Sequence, residues 1–211
     1  MRVFRCMLLP LHALLFWTGL HGNSLAKQKF LTRVCGGASR QTLAAYSEDF
    51  AALVVRSRLL PGAVASIEAH RAHGDRLILV TASLDIYVNA IARHLKFDDV
   101  IASKAAWIVD GLGATLDGRL DGENCYGANK VERLGTFLAN DAGAVPIVAY
   151  SDHASDLPLL GIADKAYVVN PKPAMRKLAQ KIGLPVLNWS GASGPASHRA
   201  ALYSQLLRML S

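Results

Sequence analysis

Short apolar runs alternate with helix-like segments from residue 61 onward, and this alternation constrains the fold more than any other feature of the sequence. Continuous apolar runs bounded by turn residues are typical of strands that are buried on both faces, as in parallel sheets. The runs are 77–80, 100–102, 146–150 and 166–169, with 186–187 as a candidate edge strand. Because strands that alternate with helices build βαβ units, we predict a three-layer, Rossmann-like α/β fold with a parallel sheet.

Helical segments are predicted between these runs. Helical periodicity covers 63–73, 84–95, 128–138, 157–162 and 173–182. The turn signals Asp117-Gly118 and Asp121-Gly122 predict a hairpin that departs from the alternating pattern. Ligands of such folds bind at the carboxyl ends of the strands, so the residues that follow each strand are the candidates for a site.

The part of the chain before residue 61 is also predicted to be helical. Ser24 can cap a helix that ends at Gly36-Gly37, and Ser39 or Thr42 can begin the next helix. Helical spacing places the apolar residues of that next helix on one face, which we expect to be buried. They are Leu43, Tyr46, Phe50, Leu53 and Val54.

The N-terminus permits two interpretations. Arg2 and Arg5 precede an apolar stretch over 7–20, and the small residues at 24–26 resemble a cleavage site, which together outline a signal peptide. The stretch is interrupted by polar and helix-breaking residues and is short for a membrane span. The alternative is an apolar helix of an accessory domain, with weak membrane association.

Composition narrows the class of protein. A chain that is 52% hydrophobic and 18% charged is not disordered. The formal net charge is +7, which suits nucleic acid, an anionic membrane surface or a phosphorylated small molecule as the partner. The basic residues are spread along the sequence, so we do not expect nucleic acid. Three widely spaced cysteines form no zinc or disulfide pattern, which favours reduced thiols and a cytoplasmic location.

A hydroxyl group follows the first predicted strand. Thr81-Ala82-Ser83 places a side-chain hydroxyl beside backbone N–H groups at a predicted helix start, an arrangement that can cradle a phosphate. A Ser or Thr at such a position also serves as a plain helix cap. This segment alone therefore leaves both interpretations open.

Charged residues follow two later strands. Lys130 lies near the start of a predicted helix, where a cation is disfavoured unless an anion compensates it. Asp152 and Asp156 are four residues apart on a turn into a helix, and carboxylate oxygens are suitable ligands for Mg²⁺. The alternatives are a solvated lysine and two acidic residues that stabilise a helix N-terminus.

Taken in order, these residues resemble the motifs of the haloacid dehalogenase superfamily. The segment around Thr81 resembles its second motif, Lys130 its third, and the segment 151–156 its fourth. The segments 60–63, 70–75 and 169–171 are similar to the phosphoserine-phosphatase-like branch, subfamily IB. The resemblance covers roughly residues 24–189.

The resemblance implies a division into a partial helical cap (1–58, with an apolar helix at 3–20), an α/β core (59–190) and a tail helix (191–211). It favours a cap helix over a signal peptide at the N-terminus. The family's first motif, Asp-x-Asp on the first core strand, does not occur in the sequence, whose first aspartate is Asp49. We therefore expect the first core strand to be missing, and the sequence to be part of a longer protein or the product of a degraded gene.

The resemblance also implies a mechanism. In the family an aspartate attacks phosphorus to give an aspartyl-phosphate, and Mg²⁺ assists phosphomonoester hydrolysis. Thr81 and the Ala82 N–H would bind the phosphoryl group with Lys130, Asp152 would bind the metal, and Asp156 would support it. Without the nucleophile, we expect the sequence as it stands to turn over nothing. The alternatives are a non-catalytic binding protein of this fold and an exported or membrane-anchored protein.

Overall fold

The computed structural model describes residues 23–111, 113–139 and 145–190. The helices are α1 (Asn23–Val34), α2 (Arg40–Ser57), α3 (Pro61–His73), α4 (Asp85–Leu95), α5 (Ala128–Leu138), α6 (Leu157–Gly161) and α7 (Pro173–Lys181). The strands are β1 (Ile78–Leu84), β2 (Asp99–Ser103), β3 (Ala105–Asp110), β4 (Gly113–Leu120), β5 (Val148–Ser151), β6 (Lys165–Val169) and β7 (Val186–Leu187). The predicted helices at 3–20 and 191–211 lie outside the described residues.

The parallel strands form two groups. β1 pairs with β2 in parallel, and β5, β6 and β7 form a second parallel group in that order. The predicted edge strand at Val186–Leu187 is confirmed. Within the described residues, β1 and β5 do not pair with each other. The alternating α/β architecture is therefore as predicted, with its parallel strands in two groups.

Buried apolar side chains connect these groups to their helices. Under β5 and β6, the buried side chains of Ala149, Leu160 and Val168 pack with those of α7. Against β2, Ile101 and Cys125 pack with Leu134 of α5 and Leu159 of α6. Since neighbouring residues of α6 enter the two clusters, this short helix joins the two groups of parallel strands.

The hairpin β3–β4 forms a further cluster with the N-terminal helices. Leu31 of α1, Leu84, Ala105 and Leu116 are all buried there. The chain reverses between Asp110 and Gly113. The predicted turn at Asp117-Gly118 is wrong: these residues lie within β4, and the positive φ of Gly118 (94°) accompanies a shift of strand register. The glycine there permits close packing, because a Cβ would lie 2.6 Å from the Thr32 hydroxyl of α1.

The N-terminal helices differ in detail from the prediction. Ser24 lies inside α1 and does not precede it, whereas Ser39 does cap α2 and accepts a hydrogen bond from the Thr42 N–H at 3.1 Å. On α2, Tyr46 is 68% exposed, and Phe50 and Leu53 are each 45% exposed, so the predicted buried face is largely on the surface.

Small residues of α2 are buried in place of the predicted apolar ones: Ser47 and Ala51 are 5% and 0% exposed. Small side chains allow α4, with its buried Ala90 and Ala92, to approach closely.

In the described residues no helix is by itself long and apolar enough to cross a membrane, and α2 and α3 meet that test only as a pair bent by 101°.

The end of β1 is also different from the prediction. The strand was predicted over 77–80, with Thr81-Ala82-Ser83 at the start of a helix over 84–95; β1 instead continues through Leu84, and α4 begins at Asp85, close to the predicted position. The pairing of β1 with β2 becomes irregular between Val80 and Leu84. The segment stays extended because the Ala82 carbonyl accepts hydrogen bonds from outside the strand, as described below.

Candidate active site

A buried ion pair joins the start of α5 to the turn before α6. The Lys130 Nζ lies 2.7 Å from the Asp156 Oδ1, and each residue is 7% exposed. The Ser151 hydroxyl donates to Asp156 Oδ2 at 2.7 Å, and the Ser155 hydroxyl lies 3.3 Å from Oδ1. A buried ion pair is stable when further hydrogen bonds satisfy its free lone pairs, and Asp156 meets that condition.

Gly127 allows α5 to begin beside this turn. Its φ of 59° and ψ of −127° lie in a region that favours glycine. A Cβ at this position would lie 3.8 Å from the Ser155 carbonyl oxygen, so the chain passes close to the turn that carries Asp156. Lys130 lies three residues further along the chain. The sequence predicted that an anion would compensate its charge, and in the structure that anion is Asp156.

Asp152 differs from Asp156 in its surroundings. It is exposed in the turn that follows β5, and its carboxylate makes no hydrogen bond or ion pair with the described residues. Both oxygens of Asp156, in contrast, already accept hydrogen bonds. Of the two predicted metal ligands, Asp152 is therefore the carboxylate with open coordination positions.

The donor set fits a loosely held hard cation. Mg²⁺ in proteins is held by one or two carboxylates, with waters and substrate phosphates completing its coordination. The exposed carboxylate of Asp152 could contribute one such ligand, whereas both oxygens of Asp156 are already engaged by Lys130 and Ser151. Within the described part of the chain, no group of three or more His, Cys, Asp or Glu residues could hold a metal by itself.

Thr81 has a defined hydrogen-bonding role at the end of β1. Its Oγ1 accepts the Ser83 N–H at 3.0 Å. The hydroxyl makes no further hydrogen bond with the described residues, so its hydrogen remains free to donate. This geometry suits the predicted contact with a phosphoryl oxygen, and Lys130 lies on a helix that packs against β1.

Lys27 of α1 is a residue that the sequence analysis missed. Its Nζ contacts the Ala82 carbonyl and the Asn124 Oδ1, and lies 3.5 Å from the Ser103 hydroxyl. Burial lowers the pKa of Lys27, and the neighbouring Cys125 opposes that shift. No local signal could have identified Lys27, because its partners lie 55, 76 and 97 residues away in sequence.

A network of polar and aromatic side chains surrounds Tyr150 of β5. The Tyr150 hydroxyl is 2.8 Å from the His70 Nε2, and the His70 Nδ1 is 2.7 Å from an Asp75 oxygen. The Tyr150 ring stacks on Tyr167 at 5.2 Å and lies 5.3 Å from Trp189. Burial, with smaller effects of Tyr167 and Asp75, raises the pKa of Tyr150. The network fixes the strand that leads into Ser151 and the Asp152 turn.

The sequence matches the model of a known family over the region that holds these residues. The match to haloacid dehalogenase-like hydrolase covers residues 2–161. The chain belongs to this family. The haloacid dehalogenase-like fold then accounts for the parallel α/β architecture and for the placement of candidate residues at strand ends.

Similar proteins support the assignment. Probable phosphatase Rv3661 of Mycobacterium tuberculosis is 31% identical over 164 residues, which are 76% of this chain and 54% of that protein. Protein CicA of Caulobacter vibrioides is 34% identical over 154 residues, 72% of this chain and 65% of that protein. A Bordetella pertussis Tohama I protein of unknown function has a solved structure with a TM-score of 0.73 and 29% identity, covering 83% of this chain and 78% of that one.

The haloacid dehalogenase-like chain therefore spans between about half and two thirds of the length of these curated relatives. Its fold and its family follow from the comparisons.

Proposed function

We propose that this chain is the larger part of a Mg²⁺-dependent phosphomonoester hydrolase of the phosphoserine-phosphatase-like kind. The observation that carries the proposal is the buried Lys130–Asp156 pair beside the open carboxylate of Asp152, at the carboxyl end of β5. The family membership supplies the reaction class. The attacking aspartate would come from an Asp-x-Asp strand that is not among these 211 residues.

Each residue has a role in holding the phosphoryl group. Lys130 would neutralise charge on the phosphoryl oxygens, and Asp156 and Ser151 fix the position of its ammonium. Thr81 would donate its free hydroxyl hydrogen to a phosphoryl oxygen, with the Ala82 N–H beside it. Asp152, supported by Asp156, would hold Mg²⁺, which screens the repulsion between the anionic substrate and the attacking carboxylate.

Charge and the nature of the site support the proposed substrate class. A small phosphorylated compound suits a net charge of +7 that is spread over the sequence and one buried lysine at the site. Cys35 and Cys125 are free thiols, which supports a cytoplasmic location. Nucleic acid is not the proposed partner.

The test is the activity of a longer form of the protein that includes an Asp-x-Asp strand ahead of residue 1, taken from its gene or from a relative. We expect Mg²⁺-dependent hydrolysis of small phosphomonoesters such as phosphoserine. D152N should lower kcat/KM by on the order of a hundredfold or more, since it removes a ligand of the metal.

Asp121 provides the matched control, because it is an exposed aspartate whose side chain has no hydrogen bond or ion pair with the described residues. D121N should retain full activity, and both variants should have the far-ultraviolet circular dichroism of the parent. Full activity of D152N at limiting Mg²⁺ would contradict the assignment of Asp152.

A second candidate is a non-catalytic phosphate-binding protein. The observation in its favour is that the 211-residue sequence has no Asp-x-Asp. If the longer form binds inorganic phosphate through Lys130 and Thr81 but hydrolyses no phosphomonoester with Mg²⁺ present, this second function replaces the first.

A further inference from the structure

We propose that Lys27 is a positioning residue, through which helix α1 orients the Thr81 hydroxyl at the phosphate-binding end of β1. The proposal deepens the proposed function and rests on it for the role of Thr81. The structural coupling between Lys27 and Thr81 does not depend on the proposed function, because it can be measured without any turnover.

The coupling runs through one peptide group. The carbonyl of the Ala82–Ser83 peptide accepts a hydrogen bond from the Lys27 ammonium and lies 2.9 Å from the Ser103 hydroxyl. The N–H of the same peptide belongs to Ser83 and donates to the Thr81 Oγ1 at 3.0 Å. Because a peptide group is planar, fixing its carbonyl also fixes the direction of its N–H.

Ser103 alone cannot donate to both the Ala82 carbonyl and the Asn124 Oδ1. The Ser103 hydroxyl also lies 2.7 Å from the Asn124 Oδ1, and it has a single hydrogen for these two acceptors. Ser103 and Asn124 are 0% and 6% exposed, so the cluster is shielded from solvent. Lys27 contacts both acceptors and has three hydrogens to donate.

The orientation of the Ala82–Ser83 peptide determines where the hydroxyl hydrogen of Thr81 points. Since the Thr81 oxygen accepts the Ser83 N–H, the hydroxyl hydrogen is directed toward another acceptor, which in the proposed function is a phosphoryl oxygen. If the Ala82–Ser83 peptide rotates, the Thr81 oxygen loses its donor and the hydroxyl loses its fixed direction. Lys27 therefore acts on the phosphate through Thr81 and does not touch it.

The coupling also makes the site depend on the position of α1. Lys27 is carried by α1, whose Leu31 packs against the hairpin β3–β4, whereas Thr81 and Ala82 belong to β1. A displacement of α1 removes the ammonium from the Ala82 carbonyl. We infer that the phosphate-binding end of β1 is fully ordered only when α1 packs against it and Lys27 reaches the Ala82 carbonyl.

The first experiment measures hydrogen exchange of the Ser83 amide in the 211-residue chain by NMR. K27M keeps the length of the side chain but removes its donors, and it should speed exchange of this amide on the order of tenfold or more. K27R keeps a cationic donor and should retain most of the protection.

The matched control is K177M, which removes an exposed lysine of α7 and should leave the Ser83 amide unchanged. An unchanged Ser83 amide in a folded K27M variant would overturn the proposal. If K27M does not fold, K27Q, which keeps one amide donor, takes its place with an intermediate increase expected and the same result overturning the proposal.

The second experiment is a double-mutant cycle in the longer, active form, with K27M, T81V and the combined variant. If Lys27 acts through Thr81, each single variant should lower kcat/KM by about tenfold, and K27M should have little further effect in the T81V background. The loss should be the same for phosphomonoesters with different leaving groups.

Additive losses would show that Lys27 acts independently of Thr81, and a loss that depends on the leaving group would indicate a contact with the substrate; either result would overturn the proposal. The two experiments separate the possible failures. An inactive longer form in which K27M still exposes the Ser83 amide refutes the proposed function and leaves the coupling intact.

Discussion

At the scale of single residues, the Lys130–Asp156 pair decides how charge is arranged at the site. Both side chains are almost fully buried, and the carboxylate has two serine hydroxyls beside it. Removing one member of a buried pair leaves the other as an uncompensated charge, which costs far more than the pair itself contributes.

K130M should therefore destabilise the chain as well as weaken phosphate binding. We expect the free energy of unfolding to fall by about 3–5 kcal/mol, because the Asp156 carboxylate would remain buried without its cation. The measurement is urea unfolding followed by circular dichroism. The double variant K130M/D156N, which removes both charges, should recover a large part of the loss; a double variant as unstable as K130M would contradict this account.

Asp75 makes the stability of the fold depend on pH. Hydrogen bonds from His70 and then from His73 lower the pKa of Asp75 below its ordinary value of 3.8. A lowered folded-state pKa means that the ionised carboxylate stabilises the fold above the ordinary pKa, and that this contribution is lost as the pH falls through the lowered value.

D75N should thus reduce the stability of the chain at pH 6 more than at pH 3. The measurement is the urea midpoint of the two proteins at both pH values. Because the Asp75 side chain is 39% exposed, the effect should be modest and should weaken with added salt. An equal difference at both pH values would exclude Asp75 as the titrating group.

Residue-scale prediction from the sequence was limited by distance along the chain. Thr81, Lys130 and the two aspartates became candidates because the apolar pattern of the sequence puts each after a predicted strand or near the start of a predicted helix. Lys27 could not, since its three partners come from β1, from the end of β2 and from the segment before α5. Nothing in the local pattern of α1 distinguishes Lys27 from a solvated lysine.

At the scale of elements, α3 shows how the N-terminal end of a helix is held against the sheet. Gly62 donates its N–H to the Trp189 carbonyl at 3.1 Å. A Cβ at Gly62 would lie 2.5 Å from the Trp189 Cδ1 and 2.7 Å from its Cα. Only a residue without a side chain allows this approach, because the Trp189 backbone cannot move aside alone.

G62A should accordingly destabilise the fold by about 1–3 kcal/mol, the usual cost of forcing an extra carbon into a packed contact. The control is G135A in α5, where a Cβ meets nothing within 4 Å. That change should raise stability by about 0.5–1 kcal/mol through helix propensity. Thermal unfolding of both variants measures the difference, and equal effects of the two would contradict the packing argument.

The positions of helices and strands were predicted better than the faces that they bury. Helix and strand positions from residue 61 onward follow the apolar pattern closely, because burial of strands requires that pattern. The buried face of α2 was not predicted, since close packing against α4 selects the small Ser47 and Ala51 over the larger apolar residues nearby. Hydrophobic spacing alone does not show which face a helix partner will approach.

At the scale of the whole molecule, the separation of β1–β2 from β5–β6–β7 is the main feature. Each unpaired backbone group that becomes buried costs roughly 1–3 kcal/mol, so a strand that pairs with both groups should add several kcal/mol. We expect the longer form with an Asp-x-Asp strand to unfold at a higher urea concentration and with a larger m-value than the 211-residue chain. Equal midpoints would show that the added segment does not enter the sheet.

The position of α6 has a consequence for folding cooperativity. This helix has only five residues, yet Leu159 belongs to the cluster against β2 and Leu160 to the cluster under β5 and β6. Two sheets that share no strand pairing can unfold together only if some element transmits the loss of one to the other. Since α6 follows directly after Asp156, we expect a substitution that disturbs the segment carrying the buried carboxylate to weaken the coupling between the unfolding of the two halves.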